Sequence, residues 1–433
     1  MKVYIINIGD ELLIGQVVNT LAADLAKMLD PHDIEVEMVE MIADDEAAIT
    51  AAVERALASD CEVVLTTGGL GPTRDDITKK VMLGIFGGNM VEDEATLKNV
   101  GMIVERRGLK LNDLTRAQAL VPSSCRVIQN SAGTAPIMWF ERDGKVLISM
   151  PGVPFETLTM MREQIIDQLM ERFPSDVAHQ RRVMIVTGYT ESALAQELAD
   201  IEDTMPSFIH LAYLPRPGIV RLRLDGRHHD AELLEAEVTK VAKRIGERLG
   251  DAVKATDDLT EAQILLKVLG ERNLTVGTAE SCTGGNIAHQ ITLIPGSSAS
   301  YMGSVVSYAN RVKTSLLGVD EDTIAKNGVV SIPVVEQMAS GVCRALGVDV
   351  GIATSGIAGP GGAVPGKPVG TVCIAVAVCG KVVSRLCHFP GSRDRVIDRA
   401  TTTALVMAID TITGASYDLH GYLSNRNETA LPG

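Results

Sequence analysis

Positions 3–8 form an apolar run interrupted only by Asn7, the pattern of a strand buried on both faces. Residues 19–29 carry their apolar side chains on one face of a helical period, and residues 46–57 read the same way. Residues 35–41 are strand-like, and residues 63–66 form a short buried strand running into Thr67-Gly68-Gly69. Strands alternating with helices through Gly-rich turns predict a parallel sheet covered by helices. Pro151-Gly152-Val153-Pro154 punctuates this unit near its end, and one helix is expected from Phe155 to about Phe173.

The texture changes after about Pro174. Residues 182–187 and 219–224 read as strands, the second strictly alternating Val220, Leu222 and Leu224 with Arg221, Arg223 and Asp225. Residues 231–249 form a charged helix. This stretch predicts a small α+β connector or subunit-contact module whose basic strand residues make a solvated face. From Leu259 a helix is followed by strands over 274–278, 305–308, 351–354 and 371–378, and by a long last helix over 395–412. The polar segment after about Ala415 predicts a loose tail. The chain therefore divides into 1–173, 174–256, 257–415 and a tail, 416–433.

A length of 433 residues suits about three domains of ordinary size. Aromatic residues are only 3% of the chain, so the cores must be aliphatic. The formal charge of −15, with Arg106-Arg107 and Arg181-Arg182 as isolated basic pairs, argues against nucleic-acid binding as the main activity. Phosphorylated small molecules remain open, since local amides can hold an anion on an acidic protein. The cysteines are Cys61, Cys125, Cys282, Cys343, Cys373, Cys379 and Cys387, with no C-x-x-C pair, which points to a reducing compartment and away from disulfides or zinc. The first apolar run is too short for a signal peptide, and residues 369–379 are too short to span a bilayer. A cytoplasmic protein without membrane contact is expected.

The most informative stretch is Thr278-Ala279-Glu280-Ser281-Cys282-Thr283-Gly284-Gly285, between a strand and a helix starting near Asn286. Two glycines permit a tight turn, and a nucleophile there gains nearby N–H donors suited to an oxyanion. On these residues alone, Ser281 or Thr283 could instead merely cap the helix. Serine needs a base, yet His289 and His388 lack any matching Asp arrangement. Tyr308 and Lys313 remain as candidates. A lysine beside an apolar site can lose its proton at neutral pH, although an ordinary solvated lysine reads identically here. Five residues apart, Tyr308 and Lys313 share one helical face only poorly, so a strand end or loop must present Tyr308. A second glycine-rich segment, Thr354-Ser355-Gly356-Ile357-Ala358-Gly359-Pro360-Gly361-Gly362, precedes Lys367-Pro368-Val369-Gly370-Thr371.

Together with Tyr308-Ala309-Asn310-Arg311-Val312-Lys313, these motifs resemble, in order, the signatures of CinA C-terminal domains over about residues 259–415. That group includes the nicotinamide-nucleotide amidohydrolases. The resemblance implies Ser281 as nucleophile with Lys313 and Tyr308 as partners. It also implies substrate contacts from Glu280, Cys282, Thr283, Gly284, Ser355, Gly356, Ala358, Gly359 and Arg393. Nicotinamide mononucleotide would be the substrate and no cofactor would be needed. The family often has Gly-Asp-Arg where Gly391-Ser392-Arg393 stands here.

Near the N-terminus, Gly9-Asp10-Glu11, Asp44-Asp45 and Thr66-Thr67-Gly68-Gly69-Leu70-Gly71-Pro72-Thr73-Arg74-Asp75-Asp76 stand out. A strand entering Gly-Gly-x-Gly allows close phosphate approach, and the carboxylates suit a divalent cation or simple helix capping. With Asn130-Ser131-Ala132-Gly133-Thr134-Ala135-Pro136 and Pro151–Glu156 they resemble the MoaB/MogA-like fold that begins CinA proteins. The family usually has Gly where Ile137 stands. The implied fold class is α/β: a MoaB/MogA-like parallel-sheet N-terminal domain, a small α+β connector and an α/β C-terminal amidohydrolase domain. The resemblance further implies an ADP-ribose pyrophosphatase, with nucleotide contacts at Gly9, Asp10, Gly68, Gly69, Gly71 and Thr73. A divalent metal ion would sit on Asp44, Asp75 and Asp76. Alternatives are a molybdopterin-binding protein or a non-enzymatic competence factor. A homodimer is expected.

Overall fold

The computed structural model describes residues 1–73, 76–216 and 218–414. Asp75 and the segment read as a tail lie outside the described residues. The chain forms two compact units, Met1–Asp176 and Val177–Gly433.

In the first unit, β1 (Lys2–Ile8) pairs in parallel with β2 (Glu35–Ile42) on one side and β3 (Val63–Thr67) on the other. Two short strands, β4 (Met90–Glu92) and β5 (Leu120–Pro122), make a separate ribbon. The main sheet is completed by β6 (Arg126–Ile128), β7 (Ile137–Arg142) and β8 (Lys145–Met150), in the order β2-β1-β3-β8-β7-β6. β8 runs parallel to β3, and β7 and β6 turn back antiparallel. Leu21, Leu25 and Leu29 of the helix Thr20–Leu29 bury one face with Met160, Met161 and Ile165. Ile49, Ala52 and Val53 of Glu46–Ala58 bury the other with Val81 and Met82. Both faces are covered, which is why β1 beyond Lys2 and all of β3 are buried and mostly apolar. The strand order reverses at β1, so the carboxyl ends of β1 and β3 frame the crevice where such sheets bind ligands. The helix expected over 155–173 is two α-helical pieces, Pro154–Met160 and Ile166–Arg172, joined by a π-helical segment, Met161–Ile165.

The second unit opens with an antiparallel sheet of β9 (Ala178–Thr187), β10 (Ile209–Arg216), β11 (Ile219–His228) and β12 (Val253–Ala255), ordered β10-β11-β9-β12. Helices Glu191–Glu202 and Ala231–Leu249 cover one face through Leu194, Leu198, Val238, Val241 and Ile245. The expected solvated basic face is corrected. The alternation of β11 does put Arg221, Arg223 and Asp225 on one side, but Arg181 and Arg223 converge on Asp225 and Arg221 pairs with Asp258. On the strands themselves, Val183, Ile185 and Ile219 join the core of the sheet that follows, so that side is partly covered. Lys254 of β12 meets Asp410 at 2.6 Å, both side chains almost wholly buried.

That following sheet has the order β14-β13-β15-β16-β17, from β13 (Val276–Glu280), β14 (Tyr301–Val306), β15 (Val350–Gly356), β16 (Thr371–Val378) and β17 (Lys381–His388). β14, β13 and β15 are parallel; β16 and β17 are antiparallel additions. Helices Glu261–Arg272 and Arg393–Thr413 pack on one face, and Ile332–Leu346 on the other. The chain leaves β13 toward one side and reaches β15 on the other, so the carboxyl ends of β13 and β15 form a second switch-point crevice. No helix among the described residues is long and apolar enough to cross a membrane.

Candidate active site

β13 delivers Ser281 directly from its last residue, and the Ser281 amide is held by the Thr354 carbonyl of β15 at 3.0 Å. The chain then turns sharply through Gly284 and Gly285, both at positive φ (62° and 100°), into the helix Asn286–Thr292. Only glycine takes such angles without strain. The turn is fastened from inside by Glu280. Its fully buried carboxylate accepts from the amides of Gly285 (3.0 Å), Ile287 (3.1 Å) and Ala288 (2.8 Å), and from Thr283 Oγ1 (2.7 Å). Thr283 also shares a hydrogen bond with Thr354 at 2.8 Å. Glu280 and the Thr283 side chain are therefore spent inside the protein and are not placed to touch a substrate, contrary to expectation. Gly284 N–H turns back to the Ser281 carbonyl, at 3.2 Å. Among the described residues, the amides of Cys282 and Thr283 donate to no backbone carbonyl. Two unspent donors just after a nucleophile are what an oxyanion needs.

Lys313 lies on the helix Asn310–Leu317, 1% exposed. Its Nζ donates to Ser281 Oγ at 3.0 Å and to the Ser307 carbonyl. Burial pushes its pKa down, and among the described residues no carboxylate forms an ion pair with it. A buried amine without a counter-charge is disfavoured as a cation. Neutral, it can take the proton of the hydroxyl it touches. Cys282, next to Ser281, is no rival nucleophile, because burial raises its thiol to about 12.

Ser281 and Lys313 open into a cavity of about 220 Å³. Tyr308 forms part of its wall from the loop after β14, as the spacing requires, and is largely exposed. Its hydroxyl accepts from Arg393 at 2.9 Å, and no hydrogen bond joins it to Ser281 or Lys313 among the described residues. Arg393, at the start of the last helix, also donates to the Gly359 carbonyl at 2.8 Å and lines the same cavity. Ser355, Gly356 and Ala358 line it as well. Ser355 Oγ is committed to the Val329 carbonyl. Gly356 has no space for a side chain, since a Cβ there would stand 2.9 Å from the Thr371 carbonyl. Sequence reasoning did not assign Asn310, Val329 and Val330, which also line the cavity. Asn310 sat inside a motif already noticed, whereas the two valines carry no signal of their own.

In the first unit, Gly9, Gly68 and Gly69 come together at the ends of β1 and β3. A Cβ on Gly68 would lie 2.2 Å from the Ile8 carbonyl, and one on Gly69 would lie 3.4 Å from Asp44 Oδ1. Asp10 Oδ1 accepts from the Asp44 amide at 3.3 Å. Asp76 braces its own loop, accepting from the amides of Gly71 (2.7 Å) and Thr73 (2.9 Å) and from Thr73 Oγ1. Helix capping falls to Asp45, not Asp44. Asp44 has its pKa raised by burial, with Asp10, Glu11 and Asp76 adding like charge. Among the described residues no three His, Cys, Asp or Glu side chains are grouped to hold a metal ion. Asp10, Asp44 and Asp76 thus gather like charge beside the glycine loop.

Residues 258–412 match the model of the CinA C-terminal domain. Residues 4–171 match a "probable molybdopterin binding domain", and 181–253 the damage-inducible protein CinA KH domain. A CinA-like protein of Flavobacterium psychrophilum is 40% identical over 410 residues, 94% of this chain and 97% of its own. One from Chlorobium chlorochromatii is 41% identical over 411 residues, covering 94% and 96%. Among solved structures, the competence/damage inducible protein CihA from Agrobacterium tumefaciens is 36% identical with a TM-score of 0.35. It covers 35% of this chain and 93% of that one.

Proposed function

The chain belongs to the CinA family of competence- and damage-inducible proteins, with a MoaB/MogA-like N-terminal domain, and on that premise we propose that its C-terminal domain hydrolyses the carboxamide of nicotinamide mononucleotide. The observation carrying this reading is the buried Lys313 amine 3.0 Å from Ser281 Oγ. Neutral Lys313 takes the hydroxyl proton as Ser281 Oγ adds to the carboxamide carbon. The oxyanion receives the N–H groups of Cys282 and Thr283. The lysine proton then passes to the amide nitrogen, which leaves as ammonia. Water, deprotonated in turn by Lys313, releases nicotinic acid mononucleotide and restores Ser281. Arg393, with Tyr308 fixed beside it, supplies the positive charge for the substrate phosphate at the cavity wall. The test is to incubate the purified chain with nicotinamide mononucleotide and measure both products. Equal amounts of ammonia and nicotinic acid mononucleotide are expected, unaffected by chelator. No turnover would end this reading.

A second reading is that the N-terminal domain cleaves ADP-ribose to AMP and ribose 5-phosphate, with a divalent cation as part of the substrate. It is favoured by the like charge crowding Asp44 beside the Gly69 loop, which a cation would relieve. The cation would supply neutralisation of the diphosphate oxygens, and Asp44 and Asp10 would face it. Asp44→Asn should lose ADP-ribose hydrolysis and keep deamidation; retained hydrolysis would remove Asp44 from the site.

A further inference from the structure

The first unit leaves apolar surface open where its parallel strands end. Phe155 is 71% exposed and Val18 79%, with Val17 and Val153 about half exposed. Of the chain's six phenylalanines, Phe155 is the one left exposed among the described residues. Phe155 stands in the first turn of the helix after β8, Pro154–Met160, and Val17 and Val18 lie just before the helix Thr20–Leu29. β1 and β8 point the same way, so both helices start at the carboxyl end of the sheet, and they pack together on one face. Gly152, two residues before the helix start, lies against the glycine loop: a Cβ there would stand 3.3 Å from Gly68 Cα. Among the described residues, the amides of Gly69, Leu70, Gly152 and Val153 donate to no backbone carbonyl.

Unspent amides suit phosphate oxygens, while an exposed phenyl ring beside them suits a flat apolar partner. We propose that Phe155, with Val153 two residues before it and Val17 and Val18 just ahead of the helix packed on its own, is the platform on which the planar heterocycle of a phosphate ester stacks, with its phosphates on the amides of Gly69 and Gly152. The proposal rests on the reading of this crevice as a diphosphate site. It adds that the ring contributes to recognition, so that a sugar phosphate alone binds poorly.

Fluorescence provides the test, because Trp139 is the chain's single tryptophan and is buried. The full chain carrying Phe155→Trp gains a reporter on the platform and is titrated, with Mg²⁺, against ADP-ribose, AMP, neopterin phosphate, ribose 5-phosphate and inorganic pyrophosphate. Saturable quenching is expected from a ligand carrying a ring and not from ribose 5-phosphate. In calorimetry, Phe155→Ala should bind that ring-bearing ligand about tenfold or more weakly, with pyrophosphate affinity unchanged. A Phe155→Ala protein that binds it as tightly as the parent overturns the platform and leaves the diphosphate site standing. Binding of neopterin phosphate alone, lost in Phe155→Ala, keeps the platform and overturns the ADP-ribose reading. A parent chain that binds none of the five overturns both.

Discussion

Lys313 Nζ and Ser281 Oγ lie 3.0 Å apart at the edge of a cavity, with the amine brought there by a buried helix position and, among the described residues, no carboxylate paired to it. The burial that hides the amine also lowers its pKa from the ordinary lysine value of 10.5. The base must be unprotonated to act, so kcat/KM for deamidation should rise with pH and level off above a midpoint lower than 10.5. A pH–rate profile checks this. A limb at or above the ordinary lysine value would mean that Lys313 stays charged and is not the base.

Glu280→Gln should damage both stability and rate. Glutamine offers one acceptor oxygen where the carboxylate offers two, and its NH2 would face N–H donors. Leaving a buried donor of this kind unsatisfied costs on the order of 1–3 kcal/mol. Denaturant titration should show that loss, and the loosened turn should lower kcat by at least about tenfold. A stable, fully active Glu280→Gln protein would remove Glu280 from its fastening role.

The Lys254–Asp410 contact ties β12 to the last helix through two buried charges. Lys254→Met alone should destabilise the second unit by about 3–5 kcal/mol, because Asp410 is left buried and unpaired. The double change Lys254→Met with Asp410→Leu should recover most of that loss. A double-mutant cycle by urea unfolding measures it, and no recovery would mean the two side chains act independently.

Gly68 sits at φ 108° with the Ile8 carbonyl occupying the space a side chain would need. Gly68→Ala should destabilise the first unit by about 3 kcal/mol or more through strain and displacement while leaving deamidation unchanged. Thermal unfolding of the variant beside its deamidation rate makes the comparison.

Much of the fold was legible because burial leaves a plain pattern. The helix Ala231–Leu249 follows the expected bounds residue for residue, closed by the Asp230 side chain on the Leu233 amide at its start and by Gly250 at its end. β16 likewise falls where its apolar run predicts. The role of Glu280 was not legible. A carboxylate beside a nucleophile reads equally as a ligand contact until the fold brings the amides of residues 285, 287 and 288 onto it. Arg221 and Arg223 looked like a solvated face because their carboxylate partners depend on packing: Asp225 collects Arg181 from the neighbouring strand, and Asp258 lies beyond the sheet. Val329 and Val330 reach the cavity through a loop, and no periodicity marks a loop position as a wall. The KH match of residues 181–253 could be read beforehand only as an α+β module.

The most direct measurement is ammonia release from nicotinamide mononucleotide by the purified chain beside its Ser281→Ala and Lys313→Met variants, each first shown to be folded by circular dichroism. The parent should turn over, and each variant should fall by about 10²-fold or more, the scale for removing a nucleophile or its base. Full ammonia release by either folded variant would contradict the Ser281–Lys313 account.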